Sequence, residues 1–232
     1  MRVSRSVGTV SALVYSAATS PTDATLILAH GAGAGQQSSF MVDFARAIAA
    51  LGIDVVTFNF LYTEQKRRRP DRGPALEACY RAVVGTVRRE VESAGRRLFI
   101  GGKSMGGRIA TELLAGDRDL PVGGVVLLGY PLHPPGRPDE RRDAHLAAVG
   151  RPMLFVQGSR DSFGTPAELS PVLASLSPPA TLHVVNGGDH SFRQSRSTPA
   201  AQDALYADLQ RVVAEWIQTL IDNAREKSPR RD

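Results

Sequence analysis

Gly101-Gly102-Lys103-Ser104-Met105-Gly106-Gly107 follows the apolar run Leu98-Phe99-Ile100 and precedes Arg108-Ile109-Ala110-Thr111-Glu112-Leu113-Leu114, which reads as the opening of a helix. Gly102, Ser104 and Gly106 form a G-x-S-x-G between a strand-like and a helix-like segment, the context a sharp strand-to-helix turn requires. A serine at the apex of such a turn is held in a strained backbone conformation. Its glycine neighbours are needed because a Cβ there would meet the adjoining strand and helix. The strain lifts the Ser104 hydroxyl clear of the sheet. The N–H of Met105, first in the helix, has no intrahelical acceptor and can donate to an oxyanion. A glycine-rich turn whose serine merely caps a helix would carry the same letters, so the partners of Ser104 decide.

Two nucleotide-binding readings fail on spacing. Gly102-Lys103-Ser104 looks like the end of a phosphate-binding loop, but G-x-x-x-x-G-K-[ST] needs glycine at position 97, where the chain has Arg97. His30-Gly31-Ala32-Gly33-Ala34-Gly35 is no dinucleotide fingerprint, because Gln36 stands where the third glycine of G-x-G-x-x-G belongs.

Outward from the turn, apolar runs alternate with amphipathic ones. Val10 to Ala17 alternates with a period near two and is expected as an edge strand; Ala24 to Ala29, Ile53 to Phe58, Val122 to Leu128, Met153 to Gln157 and Thr181 to Val185 read as further strands. Helices are expected over Phe40 to Leu51, Pro74 to Gly95, Thr165 to Leu176 and Pro199 to Asn223, the last burying Leu205, Leu209, Val212, Trp216 and Leu220. Asn59 to Gly73 reads as a polar, arginine-rich loop. Strands buried on both faces and alternating with helices imply an α/β fold with a mostly parallel, doubly wound sheet, whose ligand site lies beyond the carboxyl ends of the strands. One domain over residues 1–224 is expected, with 225–232 a disordered basic tail.

The bulk properties narrow the partners. Of 232 residues 42% are apolar, enough for a sizeable core, and Cys79 is the lone cysteine, so no intramolecular disulfide forms and a reducing compartment is the default. No apolar run approaches the roughly 18–20 residues of a membrane span, and no signal-peptide pattern follows Met1, so a cytoplasmic chain without membrane contact is expected. The net charge of +5 is concentrated in Lys66-Arg67-Arg68-Arg69, Arg141-Arg142 and the tail, without interleaved aromatics, so nucleic acid is not an expected partner.

A serine hydroxyl is a poor nucleophile near neutral pH and needs a base, which needs a group to fix its tautomer. His183 lies inside the last strand, His145 on a short helical stretch, and His30 precedes the glycine-rich turn and shapes it. His190, in Asn186-Gly187-Gly188-Asp189-His190-Ser191-Phe192, follows the last strand at the sheet's carboxyl edge and is the expected base. Asp161 follows the preceding strand and gives the order Ser, Asp, His. Asp189 is the rival acid, but the immediate neighbour of His190 is poorly placed to face that imidazole. Ala32 N–H, with Gly33 second, is expected to join Met105 N–H as oxyanion donor. His30, Gly31, Tyr130, Leu132 and His133 are candidates for the substrate pocket, the last three as its roof. Arg67, Arg68 or Arg72 are candidates to attract a substrate carboxylate.

Leu28-Ala29-His30-Gly31-Ala32-Gly33-Ala34-Gly35, Asn59-Phe60-Leu61-Tyr62, Gly102-Lys103-Ser104-Met105-Gly106-Gly107-Arg108 and Gly129-Tyr130-Pro131-Leu132-His133-Pro134-Pro135-Gly136 resemble the α/β-hydrolase superfamily. More narrowly, they resemble the hydrolase-like family of testis-expressed proteins and the third regulatory subunit of the NSL histone acetyltransferase complex, a family similar to dienelactone hydrolases. The resemblance implies Ser104 as nucleophile, His190 as base and Asp161 as acid, with no metal or organic cofactor. Dienelactone hydrolases use cysteine where this chain has Ser104. The expected activity is hydrolysis of small esters or related acyl compounds through an acyl-enzyme. Acyl transfer or peptide cleavage on the same residues, and a non-catalytic interaction domain on the same fold, are the alternatives.

Overall fold

The computed structural model describes residues 2–5, 8–18 and 21–226. Its strands are Arg2–Arg5 (β1), Gly8–Tyr15 (β2), Thr25–Ala29 (β3), Asp54–Phe58 (β4), Leu98–Lys103 (β5), Val125–Leu128 (β6), Met153–Gly158 (β7) and Thr181–Val185 (β8). They form one sheet in the order β1-β2-β4-β3-β5-β6-β7-β8, parallel from β4 to β8 and antiparallel at β1 and β2. Thus β2 is not the edge: β1, a short mixed-polarity stretch without an alternating signal, pairs outside it.

The helices are Ser39–Ala50 (α1), Leu61–Glu64 (α2), Gly73–Glu90 (α3), Glu92–Arg96 (α4), Met105–Gly116 (α5), Pro166–Ala174 (α6) and Pro199–Glu226 (α7), with a 3-10 turn at Leu146–Ala148. The strands' side chains divide by parity between two cores. Ile27, Val56, Ile100, Leu127 and Phe155 pack with α3, α5 and α6 on one face. Leu26, Val55, Phe99, Val126 and Leu154 pack with α1 and α7 on the other. Burial on both faces is why these strands read as unbroken apolar runs. The fold is the α/β-hydrolase fold, a mostly parallel doubly wound sheet without a large lid. Among the described residues the connection from β6 to β7 holds only the 3-10 turn.

Several boundaries differ from the periodicity. The expected loop 59–73 contains α2 and ends where α3 begins, Phe60 and Tyr62 being buried. The expected helix 74–95 breaks at Val91, whose extended backbone (φ −110°, ψ 113°) suits a β-branched residue and starts α4 in a new direction. On α7 the fully buried row is Leu209, Val213, Ile217 and Ile221, while Leu205, Val212, Trp216 and Leu220 flank it half-buried. Two neighbouring apolar rows share this helix, and periodicity cannot choose between them. Arg225 and Glu226 are helical, not tail; 227–232 lie outside the described residues.

Packing is tight around the strand-to-helix turn. A Cβ on Gly106 would sit 2.4 Å from the Ala29 carbonyl oxygen, and one on Gly102 would sit 2.4 Å from the same atom. Because that atom is backbone in a central strand, it cannot swing away. Gly106→Ala is therefore expected to destabilise the fold by about 1–3 kcal/mol, despite alanine's better helix propensity. Urea unfolding checks this, and an unchanged midpoint would contradict the packing argument.

Candidate active site

The parallel strands end together: Ala29 is in register with Gly102, Lys103 with Leu128, Leu128 with Val156, and Gly158 with Val185. The segments leaving these strands therefore gather along one edge of the sheet. Ser104 follows β5 with φ +51° and ψ −117°, a left-handed backbone rare for a residue bearing a Cβ, which costs roughly 1–3 kcal/mol. The turn is held by Ser104 N–H donating to Leu128 O (2.9 Å) and by Arg108 N–H donating to Ser104 O (3.1 Å).

Ser104 Oγ lies 2.9 Å from His190 Nε2, and His190 Nδ1 lies 2.8 Å from Asp161 Oδ2. The carboxylate can only accept, which puts the imidazole proton on Nδ1 and leaves Nε2 to accept from the serine hydroxyl. The Asp161 side chain is fully buried, and that of His190 is 20% exposed. Asp161 is fixed from two further sides, Oδ2 accepting from Gln157 Nε2 (2.8 Å) and Oδ1 from Phe163 N–H (2.8 Å). Gln157 also donates to the carbonyls of Gly164 (2.7 Å) and Tyr130 (3.2 Å) and accepts from Tyr130 N–H (2.8 Å), so one buried amide ties Tyr130 and Gly164 to the aspartate. Its signal was a glutamine ending an otherwise apolar buried strand. The Phe163 ring lies against the His190 imidazole, centroids 4.2 Å apart. Asp189 turns the other way, its Oδ1 accepting from the N–H groups of Ser191 and Arg193 within its own turn.

The glycine-rich turn is organised by His30. Its Nδ1–H donates to Gly31 O (2.8 Å), which leaves Nε2 to accept from Phe60 N–H (3.2 Å). Burial lowers its pKa, consistent with this neutral arrangement. Ala32 O accepts from the Tyr62 hydroxyl (3.0 Å). The N–H groups of Ala32 and Met105 make no hydrogen bond among the described residues.

A cavity of about 970 Å³ opens over Ser104. Gly31, Ala32 and Met105 line it, whereas His30, Tyr130, Leu132 and His133 do not. These four are buried, His30 under the turn it shapes and the other three beneath the chain rather than over the site. The Tyr130 hydroxyl donates to Arg142 O (2.6 Å), Leu132 packs against Gly164, and His133 is held by Pro134 O and Glu168. Of that segment Pro131 reaches the cavity. The other walls come from Phe40 and Phe44 of α1 and Tyr206 of α7, which the sequence did not suggest. Arg67, Arg68 and Arg72 are not in the lining; Arg67 pairs with Asp71 (2.6 Å), which is.

Lys103 is a second residue the sequence did not single out. Its Nζ donates to His190 O (2.5 Å) and lies 5.4 Å from the centre of the Phe192 ring, tying the strand before Ser104 to the loop of His190. Burial lowers its pKa from 10.5 to about 8, the charges of Asp161 and Asp189 opposing. The folded chain thus releases this proton near pH 8 while the unfolded chain keeps it to about 10.5, so the unfolded chain binds more protons in between and stability rises with pH there. Chemical unfolding at pH 8 and at pH 10 is expected to give a larger rise for wild type than for Lys103→Met. Equal changes would contradict it.

Among the described residues no helix is long and apolar enough to cross a membrane. Three solved structures superpose on nearly the whole chain. One is an α/β serine hydrolase without lid from Xanthomonas campestris (24% identity, 93% of each chain, TM-score 0.72). Another is an α/β serine hydrolase homologue from Coxiella burnetii (18%, 93% of this chain and 95% of that one, 0.71). The third is a dienelactone hydrolase from Anabaena variabilis (19%, 94% and 95%, 0.72). At these identities they share the fold. Residues 22–218 match the family described as alpha/beta hydrolase domain. With most of its length inside that match and its strands in the order above, the chain belongs to the α/β-hydrolase domain family.

Proposed function

We propose that the chain is a serine hydrolase of small esters or related acyl compounds, with Ser104 as nucleophile, His190 as base and Asp161 as the group that fixes the imidazole. The observation that carries this reading is the unbroken hydrogen-bond chain from Ser104 Oγ through His190 to Asp161, at the floor of an open cavity. In the first half-reaction Ser104 Oγ bonds to the acyl carbon as its proton passes to His190 Nε2. The carbonyl oxygen takes the negative charge and accepts from the N–H groups of Met105 and Ala32. The adduct then expels the leaving group, which His190 protonates, and leaves an acyl-serine. Water attacks that ester with His190 again as base, releasing the acid and restoring Ser104.

The serine-hydrolase and dienelactone-hydrolase descriptions of the similar structures agree with an ester or lactone substrate. The narrower kinship, to testis-expressed and NSL-subunit proteins, belongs to the same proposal and rests on the motifs around His30, Ser104 and Tyr130. Labelling with a fluorophosphonate probe tests the reading, because the reagent phosphonylates only an activated serine. Wild type is expected to label, and Ser104→Ala and His190→Ala to remain unlabelled. Folded wild-type protein that stays unlabelled would favour an interaction domain on this fold.

A further inference from the structure

Arg108 and Arg142 line the same cavity as Ser104. Arg108 stands one turn into α5, roughly 5–6 Å along the axis from the nucleophile, and its own N–H is bonded to the Ser104 carbonyl. Its Nη1 donates to Glu112, while its Nε is buried without a hydrogen-bond partner. Arg142 is pinned through its backbone, the N–H donating to Leu132 O (2.8 Å) and the carbonyl accepting from the Tyr130 hydroxyl (2.6 Å). Its guanidinium makes no ion pair among the described residues, although nearby Arg137 and Arg141 pair with Glu140 and Asp143.

The carboxylates around the two arginines are thus already engaged, Glu112 by Arg108 itself, Glu140 by Arg137 and Asp143 by Arg141. Glu77 acts on Arg108 only through its field, without pairing. Burial, and next the charge of Arg108, lowers the Arg142 pKa, the signature of like charges crowded in a half-buried place. The Arg108 charge is met by Glu112, whereas that of Arg142 has no carboxylate partner among the described residues and can pair with an entering anion. Asp43 of α1 and Asp203 of α7 also line the cavity, and these two helices pack on the sheet face opposite to α5.

We propose that Arg108 and Arg142 form an anion subsite, so that the acyl compound hydrolysed carries a carboxylate a few bonds from its scissile carbonyl. The reaction in this inference rests on the serine-hydrolase reading; the binding does not. A short dicarboxylic half-ester is the simplest such compound, with its scissile carbonyl at Ser104 and its free carboxylate at the guanidinium pair. The fork of Arg142 would take the carboxylate and Arg108 would supply the second charge.

Two measurements test it. In the first, kcat/KM is compared for 4-nitrophenyl hemiglutarate and the neutral 4-nitrophenyl pentanoate, in wild type, Arg142→Gln and Arg142→Lys. In the second, glutarate is titrated into Ser104→Ala, with and without Arg142→Gln, by calorimetry. The charged-to-neutral ratio is expected to fall about tenfold or more in Arg142→Gln and to recover partly in Arg142→Lys, with glutarate affinity falling likewise. Glutarate binding that depends on Arg142 in a protein that cleaves neither ester would uphold the subsite and sink the hydrolase reading. Cleavage of the neutral ester, with neither ratio nor glutarate affinity responding to Arg142, would overturn the subsite and leave the hydrolase standing.

Discussion

Ser104→Ala is expected to lower kcat for any ester the wild type cleaves by roughly 10⁴-fold or more, on the scale seen when a nucleophile is removed from such a triad. The loss is that of the covalent route itself, because alanine offers no atom to carry the acyl group. What remains is binding and the two backbone donors, which stabilise an oxyanion formed by water attack. The substitution is a clean one for the fold. Alanine keeps the Cβ, so the strained φ of +51° is neither relieved nor worsened, and the turn stays fastened to Leu128 and Arg108 through backbone groups. Thermal unfolding close to wild type, together with lost turnover and lost phosphonate labelling, is the expected outcome. Turnover within tenfold of wild type would remove Ser104 from the chemistry.

Asp161→Asn is expected to cost about 10³–10⁴-fold in kcat and, unlike Ser104→Ala, to cost stability as well. Every group facing this carboxylate is a donor: His190 Nδ1–H and Gln157 Nε2–H at Oδ2, and Phe163 N–H at Oδ1. An asparagine must present its own NH₂ to one side. Placed towards Phe163, it leaves a buried N–H unpaired, at about 1–3 kcal/mol. Placed towards His190, it drives the imidazole proton onto Nε2, where it blocks acceptance from Ser104. Both activity and urea midpoint should therefore fall, and a variant with wild-type values for both would show that the buried carboxylate does not hold the imidazole.

The chain order of the three side chains is legible in the sequence because each lies in the segment that leaves a strand, and strands with both faces buried announce themselves as unbroken apolar runs. Asp161 and Asp189 are separable on sequence alone, since adjacent side chains rarely face one another. The cavity walls are not legible. They are assembled from α1 and α7, far from Ser104 in sequence and carried to it only by the sheet. Tyr130, Leu132 and His133 resemble a roof because apolar letters in a proline-rich connection suggest exposure to a ligand. The loop instead folds inward, where the Tyr130 hydroxyl and the His133 ring find buried partners. The phase of α7 is hidden for a related reason, its larger apolar residues lying beside the buried row rather than in it.

The parallel register of β3 to β8 also divides the molecule into two sides with different tolerances. The groups that touch the cavity lie at or past the strands' carboxyl ends, while the returns at Leu51 and Gly52, at Asp117 to Leu120 and at Leu176 to Ala180 lie at the amino ends. Length and charge can drift in these returns without moving a reacting atom. Attachment to another domain, or to a surface, is least disruptive through that side. The carboxyl side has no such freedom, because Ser104, Asp161 and His190 come from three different strand ends and meet there through hydrogen bonds of 2.8 and 2.9 Å. The chain can therefore acquire new company on one side while the arrangement of Ser104, His190 and Asp161 stays fixed on the other.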